Sequence, residues 1–92
     1  MKIFLKSIAN LRNYFGYEPV ELELPENSTL QTVVDIIAER WGSQLPTYMW
    51  DSSKLQFRGP ILLLVDKKVQ TNFSEPLKNG QEVTILKALM GG

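Results

Sequence analysis

Only one stretch of this chain repeats its apolar residues with helical spacing, the segment from Ser28 to Gly42. Leu30, Val33, Val34, Ile37 and Trp41 fall at i, i+3, i+4, i+7 and i+11, while Asp35, Glu39 and Arg40 lie off that stripe. Ser28-Thr29-Leu30-Gln31 fits a capping box in which Ser28 caps the first turn and Gln31 reaches back to its amide. Gly42 suits the left-handed position that ends a helix. Each large aliphatic side chain on the stripe gains about 1.5–3 kcal/mol on full burial, whereas its β-branched members cost helix propensity. Packing must therefore hold this helix, and a lone amphipathic helix needs a second layer to pack on.

The rest of the chain supplies that layer as strands. Ile3 to Ile8 mixes apolar and polar positions like an opening strand, and Val20-Glu21-Leu22-Glu23-Leu24 alternates strictly before Pro25. These two are expected to pair as a hairpin across a loop containing Gly16 and Pro19. Ile61 to Val65 is a continuous apolar run bounded by Gly59-Pro60 and Asp66, which predicts a central strand. Lys67-Lys68 are expected at a turn, Val69 in a brief edge strand, and Pro76 to Gly80 in a turn before a last strand, Glu82–Lys87. Ser43 to Lys54 has no sustained period and reads as a long connection with one short helical turn. The order suits an α+β roll, a mixed sheet wrapped around one main helix, as a single domain over residues 1–92 with a flexible C-terminal Gly-Gly tail from residue 88.

Composition removes several classes of function. Ten Lys and Arg balance ten Asp and Glu, so no net field draws the chain to nucleic acid or an acidic membrane. It has no Cys and no His, which excludes disulfides, thiolate and His-dependent catalysis and the ordinary zinc sites. Asp35 and Glu39 share a helix face but have no nucleophile or base beside them, and read as solvated surface. The chain is expected not to be an enzyme. Lys6 interrupts the N-terminal apolar run and no run reaches membrane-spanning length, so a cytoplasmic location is expected.

The chemistry is concentrated at the other terminus. Gly91-Gly92 follow the run Val83 to Leu86 closely, and glycines without Cβ atoms can thread a channel too narrow for side chains. A frayed, functionless end is the competing reading. Several strings sharpen the choice: Ala9-Asn10-Leu11-Arg12-Asn13-Tyr14-Phe15-Gly16, Val65-Asp66-Lys67-Lys68-Val69, Leu77-Lys78-Asn79-Gly80-Gln81-Glu82-Val83 and the final glycine pair. Together they resemble the β-grasp sulfur-carrier family, above all the small subunit of molybdopterin synthase, and more distantly the thiamine sulfur carrier and ubiquitin-like modifiers. The chain departs from the family in carrying Lys87-Ala88-Leu89-Met90 before the glycines and a longer connection from Gly42 to Pro60.

The resemblance implies a ubiquitin-like β-grasp fold and a carrier whose chemistry is supplied by partners. A ubiquitin-activating-type adenylating enzyme, holding ATP and magnesium, would activate the carboxyl of Gly92, and the chain itself would bind no cofactor. The resulting thiocarboxylate would give its sulfur to a pterin precursor in the large molybdopterin synthase subunit. Gly91 would pass the constriction, Leu89 and Met90 would anchor the tail in an apolar groove, and Arg12 would be a docking charge. Phe4 is expected on the sheet face away from the helix, as part of an interface or buried under the long connection. Tyr48, Met49 and Trp50 form either a contact patch or a lid on one end of the core. A ubiquitin-like modifier conjugated through Gly92, a thiamine-pathway carrier and an inert interaction domain are the alternative functions.

Overall fold

The computed structural model describes residues 1–88. In chain order the elements are strand β1 (Lys2–Ser7), a 3-10 turn (Ala9–Leu11), the short helix α1 (Arg12–Phe15), β2 (Val20–Glu23), and the main helix α2 (Leu30–Trp41). A second 3-10 turn (Gly42–Gln44) leads to β3 (Trp50–Asp51), β4 (Gln56–Phe57), β5 (Ile61–Val65), β6 (Lys68–Val69) and β7 (Glu82–Lys87). Five strands form one sheet in the order β2-β1-β7-β5-β6, and β3 and β4 pair separately. The β1–β7 pair is parallel and every other pair antiparallel, so the sheet is mixed.

Helix α2 covers one face of this sheet. Its stripe residues Leu30, Val33, Val34 and Ile37 are buried in a single cluster with Ile3 and Leu5 of β1, Leu22 of β2, Val83 and Ile85 of β7, and Ile61 and Leu63 of β5. These four strands thus give alternate residues to the core, as the two-residue period requires. Trp41 is half-buried at the end of the stripe, its ring edge-on to Phe15 with centroids 5.2 Å apart.

Four sequence expectations need correction. The cap of α2 is Thr29, not Ser28: Thr29 Oγ1 accepts the Thr32 amide at 3.3 Å and Thr32 Oγ1 accepts the Thr29 amide at 3.1 Å. Ser28 instead donates its hydroxyl to Pro25 O at 2.7 Å, and Gln31 Nε2 bonds Asp35 at 2.9 Å. Gly42 does not end the helix in a left-handed turn, since it keeps right-handed helical angles and continues into the 3-10 turn, with the Trp50 indole against it.

The apolar run β5 is not central. Polar-studded β7 takes the middle of the sheet beside β1, and β5 lies one strand from the edge. The turn after β5 is Asp66-Lys67, with Lys68 already in β6; both turn residues have positive φ, 48° and 71°, the geometry that matches a tight hairpin to strand twist. The long connection contains, besides its helical turn, the β3–β4 hairpin, which folds Met49 and Trp50 into the core and leaves Tyr48 half exposed.

The turn before β7 sets where that strand lies. Gly80 has φ of 87°, a left-handed conformation that side chains disfavour, and donates its amide to Lys2 O at 2.7 Å. Asn79 Oδ1 accepts the Lys2 amide at 2.7 Å. The turn is thereby fixed to the first residue of β1, and β7 runs parallel to β1 toward the opposite end of the sheet.

Candidate functional site

That opposite end is where the chain leaves the sheet. Ala88 donates its amide to Pro60 O at 2.7 Å, the last bond recorded along the strand. Leu89, Met90, Gly91 and Gly92, which carry the tail expectations, lie outside the described residues. What the structure defines is the platform from which they depart.

One part of this platform is a small groove lined by Ile8, Leu11, Tyr48, Leu86 and Lys87. The Lys87 ammonium sits 5.1 Å from the Tyr48 ring centre, a cation–π distance. Arg12, at the start of α1, is exposed and stands 5.0 Å over the Tyr17 ring while its Nε donates to Ala9 O at 3.2 Å. The fold therefore brings Arg12 to the tail-bearing end.

Phe4 is placed elsewhere. It is half-buried on the sheet face away from α2, between Glu21 of β2 and Glu82 of β7. From the Glu82 row to Ala88 is six residues of strand, about 20 Å at the usual rise. Phe4 belongs to an outer-face surface that the sequence reading did not assemble. Register puts Lys6, Thr84, Leu64 and Val69 in one row across four strands and Leu86 beside Leu62 in the next. Leu62, Leu64 and Leu86 are half-buried and lie outside the core cluster, while Thr84 is buried among them. A signal was available: a strand apolar at every position must put apolar side chains on both faces, so the Ile61 to Val65 run already implied an outer apolar surface.

Electrostatics at the platform are simple. Asp51 has its carboxyl held below the usual range, first by the Ser53 hydroxyl bonding Oδ1 at 2.6 Å, then by the Lys54 amide, with Arg58 adding a weaker charge effect against some burial. Asp51 therefore serves as the cap of the β3–β4 turn. No group of three or more acidic, His or Cys residues among those described could hold a metal ion. No helix among them is long and apolar enough to cross a membrane.

Neither protein-family models nor curated protein sequences give a match to the chain. Solved structures do. The structure is similar to that of SAMP1 from Haloferax volcanii, with a TM-score of 0.78 and 16% identity over 100% of both chains. It is similar to Urm1 from Trypanosoma brucei, with a TM-score of 0.73 and 18% identity over 99% of this chain and 95% of that one. It is also similar to a chain in the complex of subunits 1 and 2 of the molybdopterin-converting factor from Helicobacter pylori, with a TM-score of 0.67 and 15% identity over 100% of both. The fold is the β-grasp of these structures, a mixed five-stranded sheet with one main helix.

Proposed function

We propose that this chain is a sulfur carrier, activated at the carboxyl of Gly92 and serving molybdopterin synthesis. The observation that carries the reading is the placement of β7: the central strand of a β-grasp sheet runs out at Lys87, five residues before Gly92 in the sequence. Fully extended, those five residues span about 17 Å, enough to reach from a docked body into a buried partner site.

In the proposed sequence, an adenylating partner holds ATP and magnesium. A Gly92 carboxylate oxygen attacks the α-phosphorus, pyrophosphate leaves, and the carboxyl becomes an acyl adenylate. A sulfur donor then displaces AMP, giving a thiocarboxylate. Its sulfur bonds to a pterin precursor held by a large synthase subunit, displacing an oxygen substituent there, and water cleaves the resulting acyl–sulfur bond, so that Gly92 returns as a carboxylate and the sulfur stays on the pterin. This chain binds neither the nucleotide nor the metal; its part is to present Gly92. The side-chain-free Gly91 passes the narrowest point of the partner, and Leu89 and Met90 provide apolar purchase on it. The likeness to the chain in the converting-factor complex favours this reading.

A second reading, conjugation of Gly92 to lysine amines of other proteins, is favoured by the likeness to a structure named as a small archaeal modifier protein. The intact mass of the protein from its native cells separates the two. Replacement of one oxygen by sulfur at Gly92 supports the carrier; covalent ladders joined through Gly92 to lysines support the modifier. An unmodified chain that no adenylating enzyme activates overturns both.

A further inference from the structure

The groove at the tail-bearing end has features that the chemistry of Gly92 does not use. Its volume is about 180 Å³, close to the about 150 Å³ known to admit one benzene-sized group. Its walls are mainly apolar, with Asn10 and Lys87 as their polar members, and Ile8 and Tyr48 are 45% and 50% exposed. Ala9, on its backbone side, has φ of 57°, a left-handed conformation that costs a residue with a Cβ about 1–2 kcal/mol. That conformation is held from both sides, by Arg12 Nε on Ala9 O and by the Ile8 amide on Ile85 O at 3.2 Å.

One cation, Lys87, lines this opening, and two more bond to backbone at or next to its lining, Arg12 at Ala9 and Arg58 at Thr47. Lys87 lies over Tyr48, Arg12 is tied to Ala9, and Arg58 donates its Nε to Thr47 O at 2.6 Å, beside Tyr48. Among the described residues, Asp51 is the single carboxylate paired with any of them, 3.8 Å from Arg58. The chain has no net charge, so this basic rim is a local asymmetry. At the far end of the sheet Glu26, Glu75 and Lys78 together line an open cleft.

We propose that the groove receives one apolar side chain from an acidic segment of a partner protein, with Arg12, Arg58 and Lys87 pairing its flanking carboxylates. An apolar floor selects a bulky side chain, and a rim of pinned cations selects the charge around it, adding encounter rate and register more than affinity. The groove opens beside the point where the chain leaves β7, so a partner seated there is positioned against the emerging tail. The inference is independent of whether Gly92 carries sulfur, because it concerns the folded body alone.

The test uses the full chain, isotope-labelled for amide spectra. The probe is a capped hexapeptide with leucine and phenylalanine flanked on both sides by aspartate and glutamate; its control carries lysine at the acidic positions. Expected are shifts confined to Ile8–Leu11, Tyr48, Leu86 and Lys87, with binding weakened about tenfold by raising salt from about 0.05 to about 0.5 M. The Arg12→Glu, Lys87→Glu double variant should weaken it similarly while keeping the amide spectrum of the folded core. Equal binding of the lysine control, shifts centred on Phe4 and Leu64, or no shift at all would overturn the proposal. So would binding that emerges only after residues 89–92 are removed, since the groove would then belong to the chain's own tail.

Discussion

The two ends of the central sheet are built differently. At the end where β1 begins, side chains bond the backbone densely: Asn79 holds Lys2, Gln81 Oε1 accepts the Lys78 amide at 2.7 Å, and Asp66 accepts both the Glu82 amide at 3.0 Å and Gln81 Nε2 at 3.1 Å. At the tail-bearing end the bonds among the described residues are of another kind, strand closures by Ala88 on Pro60 and Ile8 on Ile85 and cationic side chains on loop carbonyls, Arg12 on Ala9 and Arg58 on Thr47, around an open groove. One end fixes register and the other is left free to be covered. The contrast teaches that the point where β7 ends is set by bonds made at the far end of that strand.

The sharpest way to separate the ends is to remove Gly92 or replace it by Val. Adenylation by the activating partner should be abolished while the melting temperature stays within about 1 °C of the parent, because the core described runs from Ile3 to Ile85. Retained adenylation would break the comparison. Next in size, Ile85→Ala empties a fully buried site in β7 and should cost about 2–5 kcal/mol in denaturant unfolding. Its loss in adenylation should vanish once the assay is corrected for the folded fraction.

A smaller effect is expected at the register-setting end. Asn79→Ala removes the acceptor for the Lys2 amide at an exposed site and should cost about 1 kcal/mol. Hydrogen exchange should quicken at Lys2 and Gly80 and leave Ala88 unaffected; equal quickening at Ala88 would show that the two ends open together. The smallest effect is at Asp51. Its carboxyl is lowered in the folded state, so its contribution to the β3–β4 turn is present above the unfolded-state value near 3.8 and fades as pH falls through the lower folded-state value. An amide-shift titration should find the Ser53 and Lys54 signals moving only in that acid range, and Asp51→Asn should abolish that movement.

Much of the fold was legible in the sequence, for identifiable reasons. The stripe Leu30 to Trp41 and the alternation Val20 to Leu24 are long enough for period to decide, and both elements lie where their patterns put them. The cap shifted by one because Ser28 and Thr29 are both good caps, and only the position of Thr32 selects between them. Apolar content misplaced β5: a run such as Ile61 to Val65 marks apolar surroundings on two faces, but one of those faces is the outer surface rather than a second layer of core. The two-residue strands β3 and β4 are shorter than any period can register. As for the site, the glycine pair is plain in the sequence, whereas the groove is not, since Ile8, Tyr48 and Leu86 come from three separated segments that only the folded sheet brings together.

The pairing of β1 with β7 also governs when the protein becomes competent. Phe4 faces Glu82 across nearly the whole described chain, so the middle of the sheet stays unfilled until the last strand has left the ribosome. A nascent or truncated chain lacking β7 has neither Val83 nor Ile85 to close the core. Order of synthesis thus sets the order of closure: the core cannot be sealed before β7, the strand at its centre, has been made.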